Sequence, residues 1–223
     1  MSEALKRAAQ AIVVWGITAA ALLVVWAPVL RFRQLWILVG ISLLANVFQP
    51  SYRPFEGSRT TEDRGTAVQI LWTVYLSQVA AIIELVVKKP ANLPFDPISG
   101  AAFGLMIAGL ALRTWSFLVL GRFFTWNVEV QPDQKLIQSG PYRLIRHPSY
   151  TGALLTFLAS ICLLRSWVAA TLSAIALPFA FWRRIRHEER LLRETFPEHE
   201  QYARRTGALA PRILTDQKLH ITC

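Results

Sequence analysis

Tyr150-Thr-Gly-Ala-Leu-Leu-Thr-Phe-Leu-Ala-Ser-Ile-Cys-Leu-Leu164, then Arg165-Ser166, then Trp167-Val-Ala-Ala-Thr-Leu-Ser-Ala-Ile-Ala-Leu-Pro-Phe-Ala-Phe-Trp182, is the stretch on which the fold turns. Two apolar runs joined by two polar residues read as a tight helical hairpin, which leaves one face of a bilayer and returns to it. Working outward, further apolar runs lie at Ala11 to Leu30, Leu35 to Phe48, Thr66 to Val87 and Ile98 to Gly121. Ala11 to Leu30 is too long for a signal-peptide core, and Trp26 and Pro28 follow its small residues, so it reads as a permanent span. The expectation is an all-α integral membrane protein of about six helices, the last two a short hairpin. It divides into amino-terminal spans (1–117) and a polar-rich region (118–223).

Composition agrees with the spans. Of 223 residues 53% are apolar and only 17% charged, against ~25% charged in soluble domains, and the mean hydropathy is +0.35. That excludes disorder, collagen and soluble repeats. The formal net charge of +10 raises nucleic acid as a partner, but no basic stripe stands apart from the apolar segments, so none is expected. The charge sorts by side instead. Lys6, Arg7, Arg53, Arg59, Arg64, Arg122, Lys135, Arg143, Arg146 and the basic residues from Arg183 onward share one face, against Arg31, Arg33, Lys88, Lys89 and Arg165 on the other. The positive-inside rule then predicts cytoplasmic termini, in the inner membrane of a bacterium or the endoplasmic reticulum of a eukaryote. Trp15, Trp115, Trp126 and Trp182 fall near one interface and Trp26, Trp36 and Trp167 near the other.

Chemistry concentrates in two polar stretches on the same face. In the first, Arg122 to Ser149, Val128 and Val130 alternate with Glu129 and Gln131, a brief extended stretch, and Gly140-Pro141 marks a turn. Pro148 suits the first position of the entering helix. It pins His147, Ser149 and Tyr150 at a helix amino terminus, where free N–H groups favour an anionic ligand. The same residues also suit an interfacial loop whose Arg143 and Arg146 touch lipid phosphates. The second, Trp182 to Tyr202, prolongs the last span out of the membrane, and Ile185, Leu191, Leu192 and Phe196 form an apolar stripe along it. A plain amphipathic helix with Arg184–Glu188 and Glu189–Arg193 ion pairs accounts for it equally. Arg113 and Glu84 lie inside spans, near enough to an end to snorkel. Cys162 and Cys223 form no disulfide framework, His147, His187, His199 and His220 show no ligand spacing, and no metal is expected.

In order along the chain, Lys135-Leu136-Ile137, Ser139-Gly140-Pro141-Tyr142, Arg146-His147-Pro148-Ser149-Tyr150-x-Gly152, the hairpin, then Arg184-Ile185-x-x-Glu188-Glu189-x-x-Leu192-x-x-x-Phe196, Tyr202 and Pro211 resemble the signature of the isoprenylcysteine carboxyl methyltransferase family. The resemblance covers about residues 118–213. It implies a membrane enzyme without a Rossmann domain that uses S-adenosylmethionine, releases S-adenosylhomocysteine, and methylates a carboxylate on a lipophilic, prenylated-cysteine-like molecule. It also implies cofactor contacts at Gln131, Gln134, Lys135, Leu136, Ile137, Tyr142, His147, Pro148, Ser149, Tyr150 and Glu188, with Arg184 as the substrate-side arginine and Arg184 and Glu188 as the charged catalytic pair. Gln134 stands where the family commonly has histidine; an amide hydrogen-bonds but carries no proton. A phospholipid N-methyltransferase and an NADPH-dependent sterol-type reductase share parts of the pattern, and a non-catalytic membrane scaffold would bind no cofactor.

Overall fold

The computed structural model describes residues 26–49, 65–126 and 128–212. The expected span Ala11 to Leu30 and the 49–65 connector lie outside these residues except at their edges, and Cys223 and His220 lie outside them entirely. Among the described residues six α-helices follow in order: α1 (Arg33–Phe48), α2 (Thr66–Lys88), α3 (Pro97–Leu120), α4 (Pro148–Leu163), α5 (Trp167–Thr195) and α6 (His199–Arg205). Short 3-10 turns occupy Ala27–Arg31, Gly121–Phe123 and Gly140–Arg143. Among the described residues no strand forms, and the 128–131 stretch pairs with nothing as a ladder; an isolated parallel bridge joins Ile145 to Gly207. The architecture is that of an all-α membrane protein. Helices α2, α3 and α5 are long and apolar enough to cross a bilayer, while α1 and α4 are shorter apolar helices of 16 residues each. Sixteen residues extend about 24 Å, short of the ~30 Å hydrocarbon layer.

The second arm continues past Trp182 as one helix to Thr195, as expected of the amphipathic stretch that prolongs it. The extension is written in strong helix formers, and Ile185 and Glu189 fall on the buried face already set by Leu177 and Phe181. The first arm, α4, packs most extensively on α3, and the second, α5, on α2. Outward faces carry Leu118, Val168, Leu172, Ile175 and Phe179, exposed as lipid-facing residues should be.

Polar groups at the hairpin end are matched in pairs. Asp96 caps α3 by accepting the Ser99 N–H at 3.0 Å and pairs with Arg165 of the turn. Ser166 donates its hydroxyl to the Ala81 carbonyl at 2.7 Å. Glu84 plays a structural part. Its carboxylate accepts the Val168 and Ala169 N–H groups at 3.2 and 2.8 Å, capping α5 from a neighbouring helix.

Candidate active site

Opposite the hairpin turn, the two polar stretches are stitched together. Arg146 and His147 donate their backbone N–H groups to the Gly207 and Ala208 carbonyls at 2.9 and 3.0 Å. The Thr151 hydroxyl reaches the Leu209 carbonyl at 2.7 Å, and the Tyr202 hydroxyl reaches the Tyr142 carbonyl at 2.6 Å. Beneath this strap Glu189 is buried, accepting from Arg146 Nε at 2.7 Å and lying 3.3 Å from His147 Nε2 and from Arg193. The 122–149 loop and the segment after the hairpin therefore form one body.

Between them lies a cavity of about 920 Å³ including its open mouth. Gln134, Lys135, Leu136, Ile137, Tyr142, His147, Ser149, Tyr150, Arg184 and Glu188, expected from the sequence, all line it. Gln131 and Pro148 do not. Gln131 closes a tight turn instead: its N–H donates to Gln134 Oε1 at 2.8 Å and its carbonyl accepts the Gln134 N–H at 3.1 Å, with Asp133 in the left-handed region. Pro148 is packed at the first position of α4, where a missing N–H costs nothing. Phe124, Val128, Leu191, Leu192, Phe196, His199 and Tyr202 are among the other residues of the wall. Of these, the apolar periodicity of the last stretch marked Leu191, Leu192 and Phe196; nothing local in the sequence distinguished His199.

Arg184 and Glu188 do not form the expected i, i+4 ion pair. The Tyr150 hydroxyl stands between them, accepting from Arg184 Nε at 2.7 Å and donating to Glu188 Oε2 at 2.6 Å. Arg184 also donates to Thr66 Oγ1 at 3.2 Å and to the Trp126 carbonyl. The His147 ring stacks on that of Tyr150, with centroids 5.4 Å apart and planes 3° from parallel. The anion seat expected at the start of α4 is narrower than the sequence implied, because the Tyr150 and Thr151 amides turn back onto the His147 carbonyl. Burial, with Glu188 nearby, raises the Tyr142 phenol above its ordinary range, and burial pushes Tyr202 up to about 12, so both stay protonated donors.

A second cavity, about 720 Å³ with its opening, runs from this site into the helices. Its walls are apolar, from Ile70, Leu71 and Val74 on α2, Ala153 and Phe157 on α4 and Phe181 on α5. Phe124, Thr125, Ser149, Tyr150 and Arg184 border both cavities. Arg113 also faces the apolar one. It does not snorkel: Nε donates to Gln49 Oε1 at 2.9 Å, and Nη1 to the Ser149 carbonyl and hydroxyl at 3.2 and 3.1 Å.

His199 is fully buried, and among the described residues neither ring nitrogen has a hydrogen-bond partner. Burial lowers its pKa below the ordinary 6.5, so the unfolded chain takes up a proton before the folded protein does. Its stabilising contribution is therefore complete above pH 6.5 and lost as the pH falls below, by up to ~1.4 kcal/mol per pH unit. Thermal unfolding in detergent at pH 7.5 and 5.5 is expected to show a larger drop in Tm for the wild type than for His199→Gln. Equal drops would mean that His199 gains its proton equally in both states.

Among the described residues no group of three or more His, Cys, Asp or Glu side chains is placed to hold a metal ion. A family model described as isoprenylcysteine carboxyl methyltransferase matches residues 102–194. The chain is 41% identical over 109 residues to the cobalt-zinc-cadmium resistance protein CzcN of Cupriavidus metallidurans, an alignment covering 48% of this chain and 50% of that protein. It is 30% identical over 143 residues to protein-S-isoprenylcysteine O-methyltransferase B of Arabidopsis thaliana, covering 60% of this chain and 73% of the plant protein. A probable protein-S-isoprenylcysteine O-methyltransferase of Oryza sativa subsp. indica is 32% identical over 123 residues, covering 52% and 62% respectively. The aligned region thus spans between half and about three quarters of these relatives.

Proposed function

Because this chain belongs to the isoprenylcysteine carboxyl methyltransferase family, we propose that it methylates a carboxylate on a lipophilic, isoprenylcysteine-like acceptor, with S-adenosylmethionine as donor. The carrying observation is the junction of the two cavities: a polar chamber and an apolar one share Ser149, Tyr150 and Arg184 as a common wall. A water-soluble donor and a greasy acceptor need such a shared boundary.

The polar chamber fits the adenosyl donor by the chemistry of its groups. Glu188 offers a carboxylate oxygen beyond the one taken by Tyr150, the two buried ring nitrogens of His199 lack partners among the described residues, and the Gln134–Ile137 stretch lies at the wall. When bound, the donor supplies a methyl group on a sulfonium cation, so that transfer to a carboxylate oxygen cancels both charges and leaves a thioether and an ester. The chain's own contribution is positional. Glu188 accepts hydrogen bonds from hydroxyl or amino groups. Tyr150, fixed by Arg184, holds Glu188 in place, and Arg184 presents a cation at the boundary. The acceptor carboxylate is already deprotonated at neutral pH, so no general base is required. Exclusion of water and fixed approach carry the acceleration, orientation alone being worth up to ~7–11 kcal/mol.

Equilibrium binding of S-adenosylmethionine, S-adenosylhomocysteine and NADPH to the detergent-purified protein tests the donor. Binding of the adenosyl ligands and not NADPH is expected; the reverse overturns the proposal in favour of a reductase. Transfer of labelled methyl to a prenylated cysteine rather than to phosphatidylethanolamine tests the acceptor, and the opposite preference would make this a phospholipid N-methyltransferase.

A further inference from the structure

We infer that the apolar cavity measures the tail of the acceptor, with Phe157 of α4 as its stop, and that it takes a chain of about ten extended bonds in preference to longer ones. The inference rests on the proposed methyltransferase reading and adds to it a residue that sets the length of the lipid.

The depth of the cavity follows from its helical walls. On α4 the lining runs from Ser149 to Phe157, which at the rise of an α-helix is about 12 Å. On α2 it runs from Ala67 to Val74, about 11 Å by the same rise. On α5 it stops at Phe181, and Leu177, one turn further in and about as deep as Val74, is fully buried. Past that depth α2 and α4 are pinned together. Gln78, one turn beyond Val74, donates its Nε2 to the Phe157 carbonyl at 3.4 Å and accepts the Ser160 hydroxyl at 3.1 Å. Ala81 and Ile161 follow, both fully buried. Nearer the polar end the wall is open instead, since Leu71 lines the cavity and is exposed on the outside of α2. A chain can enter from the bilayer there. An extended chain advances about 1.2 Å per bond, so a depth of about 12 Å holds about ten bonds. Burial of apolar surface does not by itself favour a short tail, because the surrounding lipid is as apolar as the cavity. The closed end discriminates: further methylene groups meet Phe157, whose backbone is held by Gln78 and gives way only if a hydrogen bond inside the bilayer is broken.

The test uses the detergent-purified protein saturated with S-adenosylhomocysteine and titrated with S-octyl-, S-decyl- and S-hexadecyl-N-acetylcysteine, with affinities expressed per mole fraction in the micelle. Wild type is expected to bind the decyl ligand about 10-fold more tightly than the hexadecyl one, the ratio that a modest overpacking cost gives. Phe157→Ala should bring these two to within about twofold of each other, with S-adenosylhomocysteine affinity changed by less than about threefold. The bond from Gln78 is to the backbone of Phe157 and survives this substitution. Val74→Phe, which shortens the facing wall, should make the octyl ligand the tightest of the three. A loss of fold alone would weaken all three equally and would not move their ratios. A wild type that binds the hexadecyl ligand as tightly as the decyl one overturns the inference, since the chain then leaves between the helices, while the function proposal stands. A Phe157→Ala protein with the wild-type ratio overturns it as well. If that variant cannot be purified, Val74→Phe decides: an optimum still at decyl overturns the inference, and a shift to octyl supports it. A wild type that binds none of the three thioethers overturns both this inference and the lipophilic-acceptor reading.

Discussion

Glu188→Gln is expected to weaken S-adenosylhomocysteine binding by about 10- to 100-fold while leaving Tm nearly unchanged. Glu188 is the half of the acidic pair that remains accessible: its side chain is 31% exposed against 10% for Glu189, and the Tyr150 hydroxyl engages just one of its oxygens. Glu189 is committed elsewhere, to Arg146, His147 and Arg193 beneath the strap. Glu189→Gln should therefore show the converse, a loss of roughly 3 kcal/mol of stability from breaking a buried ion pair, with any remaining folded protein still binding the ligand. Isothermal titration and thermal unfolding on both variants separate the two roles. Intact binding by Glu188→Gln, together with lost binding and unchanged Tm in Glu189→Gln, would reverse the assignment.

The second large effect is a packing one. Gly109→Ala is expected to destabilise the protein by about 3 kcal/mol, at the upper end of overpacking costs. A Cβ on Gly109 would lie 2.5 Å from Thr156 Oγ1 and 2.6 Å from the Gly152 carbonyl oxygen, and one on Gly152 would lie 2.5 Å from the Gly109 carbonyl oxygen. Two backbones in such contact cannot admit a methyl group unless α3 and α4 separate. Gly100→Ala and Gly104→Ala on the same helix meet open space and should be neutral or slightly stabilising, since alanine is the better helix former. Separation of α3 from α4 would also draw Ser149 away from Arg113. A Gly109→Ala protein as stable as Gly104→Ala would show that the two helices have room to spare at this contact.

The helices were legible because apolar runs of that length have few stable alternatives. Observed boundaries at Thr66, Pro97 and Trp167 lie within a residue of those expected from hydropathy. The continuation of α5 past Trp182 was legible too, because the apolar stripe and helix propensity run on where hydropathy falls, although the helix ends at Thr195 and a separate short one carries Tyr202. In the site, ordered motifs marked most of the cavity wall. His199, whose significance is burial without a partner among the described residues, carries no local signature.

The sequence by itself determined which of the described segments form apolar helices and which polar stretches meet, because the cost of apolar surface in water and of charge in lipid accrues residue by residue. Only the tertiary structure decided the partners: that Tyr150 parts Arg184 from Glu188, that Glu84 caps a neighbouring helix, and that Gly109 against Gly152 brings Arg113 to Ser149. Those relations depend on distances between side chains far apart in sequence, fixed by how closely two helices approach, and no pattern along one chain records that separation.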